Sequence, residues 1–223
     1  MLQGHRFYEK TGPEKLQFFL KLGGFSLFFI LGISLLSFWS GLYFMGIYLF
    51  VIYLTIIAPF IDIPGLQKRG GLVYYSLLFV GEKEKKDSIT VHGGSLFDYY
   101  FVLDKKANGK QRTQFILVQY LIGLVHILDS LEDPINSPKT IKGTSYFLNI
   151  KTAKRMGFNQ VPTHGIQKLI LLFNYFNILC SQSLVKGNLT FPNLSKIRSF
   201  ETTSDVLMAN KPNIQRLIAK LSG

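Results

Sequence analysis

Two side chains able to move protons stand close together in SITVHGGSLFDYYFVLD, residues 88–104. His92 closes an apolar run, and Asp98 lies in the aromatic run that follows. An imidazole and a carboxylate within hydrogen-bond reach can act as general base and acid on a hydroxyl or an amine. If Gly93, Gly94 and Ser95 make a hairpin turn, the pair faces across it, since glycines permit the positive φ that tight turns need. His92 and Asp98 are then either catalytic or a hydrogen bond at a turn between two strands. Residues 142–145 add a cradle for an anion, with Lys142, Thr144 and Ser145.

His92-Gly93-Gly94 after an early strand resembles the glycine loop of esterases of the hormone-sensitive-lipase type. The resemblance covers residues 91–95 and implies an oxyanion hole of backbone N–H groups. That family's Gly-x-Ser-x-Gly elbow is not present; the nearest approach is GTSYF, 143–147, with Phe147 at the second glycine. Residues 145–158 resemble the C-terminal region of acetyltransferases of the GNAT type, through Asn149, Gly157 and Phe158. The pyrophosphate-binding glycine loop of those enzymes is not present. The four histidines, His5, His92, His126 and His164, have no metal-ligand spacing, and the single Cys180 in LLFNYFNILC reads as a small buried hydrophobe. Walker and dinucleotide fingerprints are also missing, so no metal or cofactor is predicted.

The elements that must hold these residues divide into two kinds. Residues 17–60 are apolar almost throughout, with Lys21 the one charge, close to the first end. The runs 18–39 and 41–60 are each long enough to cross a hydrocarbon core of about 30 Å as a helix. Between them SFWSG reads as a turn at the far interface, where Trp39 is at home. Pro59 and DIPG, 62–65, are expected to end the second span. A signal peptide fits poorly, because a second long apolar run follows the first at once. Arg6, Lys10, Lys15 and Lys21 flank one end, and Lys68 and Arg69 the other, so the positive-inside rule places both termini in the cytoplasm. The expected division is a basic N-terminal tail over 1–16, a transmembrane helical hairpin over 17–62 and a basic α+β cytoplasmic domain over 63–223. The NLT and NLS tripeptides at 188–190 and 193–195 have no role as glycosylation acceptors on that topology.

Within 63–223, strands are expected over 71–80, 88–92, 96–103 and 140–150. A long helix fits 111–133, with Gln119, Gly123, His126 and Ser130 as a narrow polar stripe. A short helix over 151–158 closes on Gly157, and a second apolar helix fits 164–184. Both apolar helices are read as core on the sheet, with insertion into a membrane interface as the alternative for them. The last helix, 204–221, is expected to break near Pro212. Early single strands and later helices suggest α+β layers rather than a βαβ repeat.

Charge supplies the functional expectation. The chain holds 25 Lys and Arg against 13 Asp and Glu, a net charge of +12, alongside 48% hydrophobic residues. No acidic residue lies between Pro134 and Phe200, where Lys139, Lys142, Lys151, Lys154 and Arg155 cluster. A single-sign stretch of that length points to an anionic partner. The nearest is the anionic leaflet of the inner membrane that the hairpin occupies; a membrane-protein partner also fits. Nucleic acid fits less well, because no RNP, zinc-finger or helix-turn-helix pattern is present. The expected function is a membrane-anchored binding or scaffold protein. The alternative is a membrane-bound transferase or hydrolase acting on a phosphorylated or lipid-linked substrate, with His92 and Asp98 as its acid–base pair.

Overall fold

The computed structural model of the chain describes residues 2–84, 87–145, 150–163 and 165–222. Tyr146, Phe147 and Asn149, on which parts of the two resemblances rest, lie outside the described residues, as does His164.

Thr11 and Glu14 form a capping box that starts the first helix, α1 (Gly12–Ser40), with a proline in its first turn. Gly41, at φ 70°, ends it, and α2 (Tyr43–Lys68) returns. Both helices are long and apolar enough to cross a membrane. Neither buries its outer surface: Phe28 is 77% exposed and Phe44 91%. The two helices close on each other where Gly46 meets Ser37, and where Tyr53 donates to Ser26 Oγ at 2.5 Å and stacks on Phe29. The second helix does not stop at its prolines. It runs through Pro59 and Pro64 to Lys68, because Phe60 and Ile63 there pack into the domain and hold the helix across the missing N–H groups.

The domain is α+β, built on a mixed sheet. The run 71–80 is two strands rather than one, β1 (Leu72–Ser76) and β2 (Phe79–Glu82), turning at Leu77 and Leu78. Next come β3 (Ser88–Gly93), α3 (Leu96–Val102), α4 (Gly109–Ser130) and β4 (Thr140–Ser145). Then follow α5 (Ile150–Arg155), β5 (Asn159–Val161), α6 (Gly165–Phe173), α7 (Tyr175–Lys186), β6 (Arg198–Thr203) and α8 (Ser204–Ser222). The strand order is β1-β2-β3-β4-β6-β5, with β3 and β4 parallel and the other pairs antiparallel. Alternation along the strands puts Ile89, Val91, Ile141 and Phe200 on one face. There they form the main core with Leu121, Leu124 and Ile127 of α4 and Leu207 and Ile214 of α8. The other face carries Thr90, His92, Lys142, Thr144 and Glu201. Although α4 also has the length and apolarity of a span, it is the central helix of this core.

Three expectations about helices change. Residues 96–102, within the expected strand 96–103, are helical, and only Leu103 is extended. Within the expected helix 164–184, the described residues form two helices, Gly165–Phe173 and Tyr175–Lys186, bent by 68° at Asn174, whose side-chain amide donates to the Ile170 carbonyl at 2.9 Å. Only α7 joins the core; α6 buries no residue. Pro212 does not interrupt α8, which is helical throughout.

A second, smaller core joins the pieces. Phe7, Phe60, Leu96, Phe97 and Phe101 are buried together, with Phe18, Leu22 and Ile56 packed around them. It draws on the N-terminal segment, both hairpin helices and α3. His5 and Phe7, within the segment 1–16, are therefore buried against the domain. Arg6, counted above as a flanking charge, donates to the carbonyls of Tyr100, Phe101 and Leu103, where α3 ends.

Candidate functional site

The structure does not bring His92 and Asp98 together. Ser95 caps α3, accepting from the Asp98 N–H, while Asp98 accepts from the Ser95 N–H at 2.7 Å and Oγ at 2.8 Å. Gly93 and Gly94 make the exit from β3 into that cap, not a hairpin turn. The Gly94 N–H donates to the Leu78 carbonyl at 2.8 Å, so it is spent inside the fold rather than offered to an oxyanion. His92 stays on the open sheet face, its Nε2 2.9 Å from Glu82 Oε1, with both side chains 41% exposed.

Asp98 belongs to a different, closed constellation. Its Oδ1 accepts from Tyr74 Oη at 2.6 Å and lies 3.3 Å from His5 Nε2. Both His5 and Asp98 are buried, and the His5 ring stacks against Phe101 and tilts against Phe97. Burial first, and then the Asp98 charge, pushes the Tyr74 phenol far above its ordinary range. Burial pushes Tyr8, beside Tyr74, up to about 12. The phenols therefore remain donors at neutral pH. Residues this enclosed hold the N-terminal segment, β1 and α3 together.

The basic residues separate in space. Lys139 pairs with Glu84 at 2.7 Å, an attraction that raises its pKa. It precedes β4, at the end of the sheet away from α3, α6 and α7. Lys142 stands on the open face, in register with Thr90 on one side and Glu201 on the other. Lys151, Lys154 and Arg155 do converge, exposed on α5, whose inward residue Ala153 is buried. Of the expected hydroxyl cradle, Thr144 is tied into a network. Its Oγ1 is 2.9 Å from Ser199 Oγ, which is 2.9 Å from Thr163 Oγ1, and Gln167 Nε2 of α6 donates to Thr144. Ser145 is hydrogen-bonded to Tyr120.

This network fastens α6 to the sheet end through one polar residue, Gln167. The helix otherwise presents Ile166, Leu169, Ile170, Leu172 and Phe173, each more than half exposed. Behind it runs a groove of about 630 Å³, lined by Lys168, Leu171, Leu172, Leu194, Ile197 and Arg198 among others, with no carboxylate among the described residues of its wall. Sequence reasoning counted Lys168 and Arg198 only among the charges. The signal that could have singled out Lys168 is its place within an amphipathic run, IQKLILLF. By contrast, the gap between α4 and the sheet, about 40 Å³, is almost wholly apolar and has room for little more than a water. Burial raises the Cys180 thiol, which packs on the smaller core and so lacks the setting of a nucleophile. Among the described residues no group of three His, Cys, Asp or Glu could hold a metal ion.

The fold is α+β, with two N-terminal helices long and apolar enough to cross a membrane and with a cationic helix and an apolar helix at one sheet edge. No family model matches the chain, and no curated protein or solved structure matches it.

Proposed function

We propose that the protein is a membrane-anchored binding or scaffold protein. Its hairpin spans the inner membrane, both termini are cytoplasmic, and its domain binds an anionic surface. The carrying observation is the shared aromatic core. Phe7 of the N-terminal segment and Phe97 of the domain lie 4.9 Å apart between ring centroids, and both are buried with Phe60 of α2. Segments so joined sit on the same side of any bilayer the hairpin enters. The domain is thus held at a fixed angle to its anchor, as suits a platform.

Lys151, Lys154 and Arg155 are the binding face, and the anionic leaflet is their nearest partner; an acidic face on a membrane protein offers the same charge. Each cation near such a leaflet contributes about 1 kcal/mol, so three give about 3 kcal/mol. Lys139 and Lys142 contribute less, because each already faces a carboxylate. The enzyme alternative is not favoured, since its acid–base pair is not formed.

The test uses the full chain in nanodiscs of phosphatidylcholine with and without phosphatidylglycerol. Amide exchange over α5 is expected to slow in the anionic discs. That protection should disappear with added salt and in Lys151→Glu/Lys154→Glu/Arg155→Glu. Equal exchange in both discs would rule out leaflet binding, and a second band of binding to acidic membrane proteins alone would move the partner to protein.

A further inference from the structure

We propose that α6 lies in the headgroup–acyl boundary of the leaflet and that the groove behind it holds one anionic phospholipid. The phosphate sits at Lys168 and Arg198, and an acyl chain lies along Leu171, Leu172 and Leu194. This rests on the reading of the hairpin as a membrane anchor.

Four observations converge. First, α6 is apolar on its outward face and unpartnered, with Phe173 69% and Ile166 77% exposed, a combination costly in water and ordinary at a lipid interface. Second, that face is tied to the hairpin. The next helix, α7, packs on α2, where Asn177 Nδ2 donates to the Thr55 carbonyl at 2.8 Å. Thr55 lies beside Ile56 and one turn before Phe60, where the apolar run of α2 enters the smaller core, so the α6–α7 elbow is held at the boundary between anchor and domain. Third, the groove is amphiphilic. Leucines and Ile197 line it, Lys168 and Arg198 are the only charges among the described residues of its wall, and its size suits one ligand. The Arg198 guanidinium spends one nitrogen on the Ser195 and Ile197 carbonyls and keeps the rest of its fork for phosphate. Fourth, β5 is the edge strand and connects basic α5 directly to α6, so this rim of the sheet carries both the charge and the grease that a leaflet surface takes.

The experiment labels the full chain in nanodiscs with a fluorophore at Leu171→Cys, in a Cys180→Ala background. Brominated acyl chains are supplied as phosphatidylglycerol or as phosphatidylcholine at equal mole fraction. Quenching is expected from both lipids, with a preference for brominated phosphatidylglycerol. That preference should fall about fivefold for each cation removed, in Lys168→Gln and Arg198→Gln. It should survive added inorganic phosphate. Equal quenching by the two lipids in the wild-type groove would overturn the lipid site, as would erasure of the preference by free phosphate. A label reached by aqueous iodide and not by lipid would overturn the placement of α6. A label shielded from both would replace the lipid with a second copy or another protein, and would equally overturn it. A parallel label at Phe50→Cys in α2 separates the two readings: if lipid does not quench it, the anchor itself is wrong.

Discussion

Asp98→Ala tests whether that carboxylate is a keystone of the fold or a catalytic group. The side chain accepts from Tyr74 Oη at 2.6 Å and from Ser95 N and Oγ at 2.7 and 2.8 Å, and it faces His5 at 3.3 Å. Removing it takes the reciprocal half of the Ser95 capping box, about 1 kcal/mol. It also takes the Asp98 partner from Tyr74 and His5, each at about 1–3 kcal/mol. The lower part of the resulting range of about 3–7 kcal/mol coincides with the roughly 3–5 kcal/mol typical of breaking one side of a buried polar pair. At about 1.4 kcal/mol per factor of ten, opening of α3 becomes between a hundredfold and a few thousandfold easier. Hydrogen exchange of the full chain in a mild detergent reads this directly, as faster exchange of the α3 amides and of the β1 amides beside Tyr74. His5→Phe, which keeps the ring packing on Phe97, should show a smaller increase at the same amides. Unchanged α3 exchange in Asp98→Ala would refute the structural role and return Asp98 to the list of chemical groups.

Two further outcomes follow from packing and titration. A Cβ at Gly123 would fall 2.4 Å from the Phe79 ring, whereas one at Gly23 in α1 meets nothing within 4 Å. Gly123→Ala should therefore lower stability by about 1–3 kcal/mol, and Gly23→Ala should not, with thermal midpoints in detergent comparing the two. The folded-state pKa values of Tyr8 and Tyr74 are raised above the ordinary 10.0, that of Tyr8 to about 12. Their stabilising contribution is whole below pH 10 and is lost as pH climbs through the folded values. The part of the phenolate absorbance that is lost in Tyr8→Phe should rise between pH 10 and 12, together with α3 exchange corrected for the intrinsic effect of pH; a Tyr8 phenolate fully formed at pH 10 with α3 intact would contradict the burial of these rings.

The hairpin was legible because solvation by lipid needs only composition and length, and no tertiary information. The α+β class and α4 were legible from periodicity. The failure at α3 has a local cause and a remote one. LFDYYFVL is rich in residues that favour strands, and the two glycines before it imitate a turn. The Ser95-x-x-Asp98 spacing was a readable cap signal that the aromatic run outweighed. What could not be read is His5, ninety-three positions away, which gives Asp98 its partner. Charge counting found the basic stretch but not its geometry. Glu84 neutralises Lys139 only because β3 and β4 run parallel and bring the two strand starts together. Within 165–184 the bend falls at Asn174, an amide in an otherwise mostly apolar pattern that gave no sign of a break.

The burial of His5 has a consequence for how the chain is made. The segment around His5 cannot reach its place until α3 has been made, after both long apolar helices. A chain in which only one of the two apolar helices crossed a bilayer would leave His5 and Asp98 on opposite sides of it, each missing its counterpart, with Phe97 and Phe101 bare. Closure of this small core therefore requires the chain on either side of the hairpin to end up together.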